Sequence, residues 1–450
     1  MKKDALLNEY LMNYSVGEKW ELIADDSDDI SQAVVIPAYA EKEMLFFTLA
    51  SLAKNPPSSL KNTLVICVVN NTEHSPASDI ENNVQTMQIL DALVKKKSLK
   101  MFKREKEIYP LLNMISDSMM NLGYINASSE GFEMPRDTGG VGMARKIGMD
   151  TALRLLKTDF RPGNVIISLD ADTLVQNNYL SVIRQFFSPL VKTAIVAYEH
   201  PMPEHDNEQA AICCYEIFLR YWVLGLKYAK SPWAFHAIGS TISVSADTYL
   251  EVRGMNRRGA GEDFYFLNKL AKVGKIDYTK ETCVYPSGRL STRVPFGTGK
   301  RIERFLSGSC EKEYYLYDPR IFLILSEWLR LVQDMLLRNE HEILKKTEII
   351  HPRLKSFLEE NKFHLVWPKM RRVAKDEKLM ARQFNDWFDG FKTLKLVHYF
   401  TREVFPQINM FLALEQIIYM LNSSELHYNQ QEIPALFEQK NILRCLREIT

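Results

Sequence analysis

Asn164-Val165-Ile166-Ile167-Ser168-Leu169-Asp170-Ala171-Asp172-Thr173 is a short apolar run that ends in two carboxylates two residues apart. A strand of this kind, with no polar alternation, belongs in a sheet covered on both faces. Side chains two apart on an extended chain share a face. Asp170 and Asp172 are therefore expected to point the same way if strand geometry persists through Ala171. Carboxylate oxygens suit hard cations such as Mg²⁺ or Mn²⁺, which commonly bridge a few protein carboxylates and a ligand's phosphates. Taken alone, the tripeptide is more simply an Asp-rich turn, because Asp favours turns and helix N-caps. The neighbouring segments decide between the two.

Upstream, Ala33-Val34-Val35-Ile36 is a β-branched run closed by Pro37-Ala38-Tyr39-Ala40-Glu41, and Thr63–Val69 is a second apolar run ending in Asn70-Asn71. A helical stretch at Glu43–Leu52 lies between them, before the break at Asn55-Pro56-Pro57. Two such strands with a helix between them describe a parallel βαβ unit. Ligands in such sheets bind beyond the carboxyl ends of the strands, which is where Tyr39, Glu41, Asn70 and Asn71 would lie.

Gly139-Gly140-Val141-Gly142-Met143-Ala144-Arg145-Lys146 opens a helix. Glycines permit close approach of a ligand to the backbone, helix N-termini bind anions, and Arg145 and Lys146 add two cations. The dinucleotide fingerprint fails here, because Arg145 stands where its third glycine belongs. Downstream, Gly261-Glu262-Asp263 starts a helix that stops at Gly274; as an isolated pair, Glu262 and Asp263 are a helix cap. Arg289, Arg293, Lys300 and Arg301 sit in a loop rich in Gly, Pro and Ser, a composition suited to phosphate contact. From about Tyr314 the pattern is helical, punctuated by Pro319, Pro352, Pro368 and Pro406.

With 450 residues, 46% hydrophobic and 25% charged, the chain has globular composition and room for more than one domain. A net charge of +1 provides no global attraction for nucleic acid. The six cysteines show no C-x-x-C spacing and read as reduced core residues of a cytoplasmic protein. No apolar run is long enough to span a bilayer; peripheral association with the inner face of a membrane is compatible with this.

Taken together, Val35–Glu41, the Gly140–Gly148 stretch with Ala144-Arg145, Leu169–Asp172 and Gly261–Asp263 resemble family-2-like glycosyltransferases, in the order that family uses. The resemblance implies an α/β fold of the GT-A (Rossmann-like) type: a mixed, mainly parallel sheet flanked by helices, with an α-helical C-terminal region. It implies an arm at 1–30, a transferase domain at 31–304 with a helical insertion within 84–130, and the helical region at 305–450. The implied donor is a nucleotide-diphosphate sugar and the acceptor a hydroxyl of a saccharide, a lipid-linked molecule or a small molecule. Asp170 and Asp172 would hold Mn²⁺ or Mg²⁺. Pro37, Tyr39, Glu41, Asn70, Gly142, Arg145, Asp170, Arg289 and Arg293 would bind the donor. Asp263, with Glu262 as second candidate, would be the base of an inverting reaction. That family often has Asp where Asn70-Asn71 stands, so the nucleoside stays open. A sugar nucleotidyltransferase is the alternative, though its Gly-rich loop would directly follow the first strand; a non-catalytic nucleotide-sugar-binding protein is another.

Overall fold

The computed structural model describes residues 2–24, 29–156, 163–259, 261–290, 297–308, 310–421 and 433–450. Its strands are β1 (Leu22–Ala24), β2 (Gln32–Ala38), β3 (Thr63–Asn70), β4 (Asn121–Ala127), β5 (Val165–Ser168), β6 (Thr173–Val175), β7 (Thr193–Tyr198), β8 (Ile242–Ser245) and β9 (Asp277–Pro286). They form one sheet in the order β1-β4-β3-β2-β5-β8-β7-β9-β6. β2, β3, β4, β5, β7 and β9 run one way and β1, β6 and β8 the other. This is the mixed, mainly parallel sheet that the sequence predicts.

All of β2 and β3 is buried, as expected of β-branched runs covered on both faces. One cover is the helix Val141–Leu155, buried continuously from Gly142 to Leu153. It seats closely because Gly148 has no side chain: a Cβ there would meet Val35 Cγ1 at 2.3 Å and Val68 Cγ2 at 2.9 Å. Each fully buried valine stabilises the fold by about 1.5–3 kcal/mol. Pro37 lies inside β2 rather than ending it. The ladder to β5 stops at Val35–Ser168, whereas the ladder to β3 continues to Ala38–Val69. From β2 the chain order runs to β3 on one side and to β5 on the other. Such a switch point opens a crevice at the strand ends.

The chain divides into two compact units, Met1–Pro201 with Ala237–Ser287 and Arg293–Phe296, and Met202–His236 with Gly288–Thr292 and Gly297–Thr450. The sequence led us to expect a division at residue 304. The long helix Asp206–Tyr228 belongs to the second unit, where its apolar face enters the same core as Phe322, Trp328, Phe363, Trp367 and Phe384. Its Glu216 is buried between Arg220 Nε, at 2.9 Å, and Arg447 Nε, at 2.8 Å. The second unit is a run of helices from Pro319–Asp334 to Leu436–Ile449, with a two-stranded ladder of Tyr315–Leu316 and Ile408–Asn409. The 84–130 segment is helical at Ala77–Val94 and Tyr109–Asp117 before β4 begins. Among the described residues no helix is long and apolar enough to cross a membrane.

Candidate active site

The Asp-x-Asp pair does not continue β5. The strand stops at Ser168, and the Thr173 N–H donates to Asp170 O at 3.2 Å, closing a tight turn before β6. The other carbonyls of the turn are also engaged. Ala171 O accepts from Thr48 Oγ1 at 2.8 Å and Asp172 O from the Ser287 N–H at 3.2 Å. The face-sharing argument for an extended chain therefore does not apply. The two carboxylates sit on a turn braced from three directions at the carboxyl end of the central strand.

Arg145 organises the site. It lies in the first turns of the helix Val141–Leu155 and is 3% exposed. Its Nη2 donates to Asp170 Oδ1 at 2.5 Å and its Nε to Glu262 Oε1 at 3.0 Å. Nη1 donates to Ser168 Oγ and to Gly239 O, the latter at 3.3 Å. The sequence led us to expect a cation offered to an anion. Instead one guanidinium ties the Asp-x-Asp turn to the start of the Glu262–Val273 helix. Burial opposes its charge, but Asp170, Glu262 and Asp263 outweigh that and hold it firmly protonated. Lys146, one residue on, turns away to Asp150 at 3.2 Å.

The glycines work differently from expectation too. The Gly142 N–H donates to Arg258 O at 3.1 Å. A Cβ on Gly142 would meet Arg258 O at 2.5 Å, and one on Gly140 would meet Gly259 Cα at 2.7 Å. The close approach they permit is to the protein's own segment leading into Glu262. Gly261, at φ 68°, then turns the chain into the helix.

Glu262 is buried, and burial raises its carboxyl even though Arg145 opposes the shift. Asp263 is half-buried. Burial pushes it up to about 7, and repulsion from Glu262 adds to this, against a hydrogen bond from the Phe264 N–H at 2.7 Å. A carboxylate that titrates near neutral pH is suited to accept a proton.

On the β2–β3 side, Tyr39 Oη donates to Asp79 at 2.6 Å and Glu41 stands at the N-terminus of the helix Lys42–Ala53. Asn83 braces this corner, accepting from the Ala40 N–H at 2.9 Å and donating to Asn70 O at 3.0 Å. The side-chain amide of Asn71 is buried with neither its nitrogen nor its oxygen hydrogen-bonded, and Asn70 Oδ1 is likewise unmet. Buried polar groups are nearly always paired, so these atoms are candidates for contact with a ligand.

Of the basic loop, Arg293 lies outside the described residues. Arg289 is half-buried and falls in the second unit. Lys300 and Arg301 are not in a loop. They belong to the helix Thr298–Leu306, where Lys300 pairs with Glu303 at 2.8 Å and Arg301 with Glu313 at 3.0 Å.

Two carboxylates on one turn, with an oxygen of Asp170 already held by Arg145, are too few for a self-sufficient metal cage. Among the described residues no group of three His, Cys, Asp or Glu is gathered for one. The pair does fit a Mg²⁺ or Mn²⁺ ion whose remaining ligands are phosphate oxygens and water.

No family model matches this sequence, and no curated protein matches it. Among solved structures it is similar to S. aureus TarS 1-349, at 11% identity and a TM-score of 0.35, over 94% of this chain and 92% of that one. The complex of that protein with UDP-GlcNAc gives 12% identity and a TM-score of 0.36, over 94% and 93%. The mannosyltransferase PcManGT from Pyrobaculum calidifontis, in complex with GDP-Man and Mn²⁺, gives 12% and 0.34, over 85% and 96%. At these TM-scores the likeness adds no weight to the site, which rests on the chain's own geometry.

The sequence reading missed a second buried polar cluster on the same helix. Asp150 accepts from Tyr10 Oη at 2.5 Å, Tyr249 Oη at 2.7 Å and the Val16 N–H at 3.0 Å, while Lys146 Nζ donates to Tyr10 Oη at 2.8 Å. The N-terminal arm is thereby tied to the segment before Glu262, and Arg257 adds a hydrogen bond to Ser15 O at 3.0 Å. Its sequence signal was the i,i+4 spacing of Lys146 and Asp150 on one helix.

Proposed function

We propose that the protein is a glycosyltransferase that moves a sugar from a nucleotide-diphosphate sugar to an acceptor hydroxyl, with inversion at the anomeric carbon. The observation that carries this is the surplus of carboxylate at the carboxyl end of the central strand. Asp170, Glu262 and Asp263 are grouped around the buried guanidinium of Arg145, and Asp263 is raised to about 7. Asp263, ionised, takes the proton of the acceptor hydroxyl as that oxygen bonds to the anomeric carbon. The bond from that carbon to the phosphate oxygen breaks, and its electron pair leaves with the diphosphate. Asp170 and Asp172 would hold a divalent cation, which when bound supplies Lewis-acid neutralisation of the leaving group. Through Nη2 and Nε, Arg145 would hold the Asp170 and Glu262 carboxylates on one rigid fork. Asn70 and Asn71, with Tyr39, would line the nucleoside side.

The test is a panel of nucleotide sugars with Mn²⁺, read first by thermal stabilisation, since a bound ligand raises apparent stability. Released nucleoside diphosphate and glycosylated product are then read by mass spectrometry. Binding without any diphosphate release would leave a nucleotide-sugar-binding protein. Turnover that requires pyrophosphate or a nucleoside triphosphate would make it a nucleotidyltransferase. Donor affinity unchanged by a chelator and by Asp172→Ala would remove the cation from the site.

A further inference from the structure

Residues 362–382 carry seven basic side chains, Lys362, Lys369, Arg371, Arg372, Lys375, Lys378 and Arg382, against Asp376 and Glu377. The segment is +5 in a chain whose total is +1, so the rest of the chain is −4. All seven cations are exposed, and among the described residues none has an acidic or ring partner within reach of an ion pair or hydrogen bond. Exposed cations elsewhere do pair, as Lys97 does with Asp91 at 2.6 Å and Arg402 with Glu403 at 2.7 Å. The two acids have a local purpose: Asp376 caps the helix Glu377–Trp387 through the Leu379 N–H at 2.7 Å, and Glu377 occupies its first turn.

Helical spacing sorts this surface. Phe363 and Trp367 face the core of the second unit, whereas Leu365, Lys369 and Arg372 follow one another on the outward face of the helix Phe363–Val373. Leu365 is 52% exposed and Val373 62%. Both aromatic side chains of the segment, Phe363 and Trp367, are fully buried. Unpaired cations interleaved with exposed aliphatic side chains suit a surface that offers negative headgroups above an apolar layer. Single-stranded nucleic acid is instead gripped by exposed aromatic platforms, which this face lacks.

We propose that the outward face of the helix Phe363–Val373, continued by Lys375, Lys378 and Arg382, docks the protein on an anionic lipid surface. The cations meet the headgroups, and Leu365 and Val373 enter the boundary of the acyl layer. The docking does not depend on the chemistry proposed at the end of the central strand.

Cosedimentation of the full chain with phosphatidylcholine vesicles, with and without phosphatidylglycerol, tests this. Binding is expected only with phosphatidylglycerol present and is expected to weaken with salt. The triple variant K369E/R371E/R372E should lower partitioning by roughly a hundred-fold or more, from the usual contribution of each cation near an anionic surface. K103E/R104E/K106E makes the same change in net charge at exposed residues of the first unit and should bind as wild type does. Among the described residues the substituted side chains have no partners, and unchanged circular dichroism and melting confirm that each variant folds. Equal binding to neutral vesicles, or equal loss in both triple variants, would overturn the proposal. So would a single-stranded RNA that binds the same face and displaces the protein from vesicles. L365S should weaken the binding that survives at high salt; an unchanged L365S would overturn the apolar half of the proposal.

Discussion

Arg145 and Lys146 are neighbours on one helix, and each is a buried cation set against carboxylate. Around Lys146 the account is closed. A single carboxylate, Asp150, is fully buried and receives two tyrosine hydroxyls, a backbone N–H and the ammonium. Burial and Asp150 drive both tyrosines far up, so neither ionises at working pH. Burial also lowers Lys146, although Asp150 opposes that shift. Around Arg145 a surplus remains. Three carboxylates surround one cation, Asp170 keeps 32% of its side chain exposed, and Asp263 is held near neutrality. A cluster whose carboxylate is fully engaged and sealed stabilises a scaffold. One with surplus carboxylate that is partly open is poised to bind or to move a proton.

The difference can be tested, beginning with the largest effect. Asp263→Asn should slow sugar transfer by about 10²–10⁴-fold, the usual contribution of general-base assistance, while nucleotide-sugar binding persists. Single-turnover release of nucleoside diphosphate measures it, and a near wild-type rate would show that Asp263 is not the base. Asp150→Ala should act on stability, because removing one partner of a buried pair strands the other at a cost of about 3–5 kcal/mol. Denaturant unfolding measures this, and activity per folded molecule should hold. A selective loss of activity without loss of stability would abolish the distinction between the clusters. Tyr10→Phe removes one hydrogen bond to the same carboxylate and should cost about 1.5–3 kcal/mol.

A further effect concerns pH. Asp263 has a folded pKa of about 7, above its ordinary value of 3.8. Its contribution to stability is therefore full below about pH 4 and is lost as the pH rises through about 7. Asp263→Asn should lack that dependence and melt a few degrees above wild type at alkaline pH, as calorimetry across this range would show. Transfer by the wild type should rise over the same interval, as the base loses its proton. A pH–rate profile flat through 7 would contradict the titration.

Much of the scaffold was legible because burial on two faces leaves a plain mark. The runs Ala33–Ile36, Thr63–Val69 and Val165–Ser168 are unalternating, and all three became central strands. The helix start at Gly261-Glu262-Asp263 was legible from its glycine and acids. The turn at Asp170 was harder, since aspartate is as much at home in a turn as at a strand end. What Arg145 does could not be read. Its reach to residues 25 and 117 positions away depends on which elements the fold sets beside it. The same holds for Tyr10, whose burial comes from a partner 140 residues downstream. Which core the long apolar helix Asp206–Tyr228 joins could not be read either, since its own sequence does not say.

Gly142 has a consequence of another kind. With Arg258 O, Asn256 O and Glu262 Cβ all within 2.9 Å of where a Cβ would stand, its bare backbone serves as a shim of minimum thickness. An alanine would thicken that shim by one methyl group and force the Asn256–Glu262 segment outward. Glycine at 142 is thus a dimensional tolerance set into the scaffold, and widening it by a single carbon is the smallest available adjustment to the gauge of the cleft.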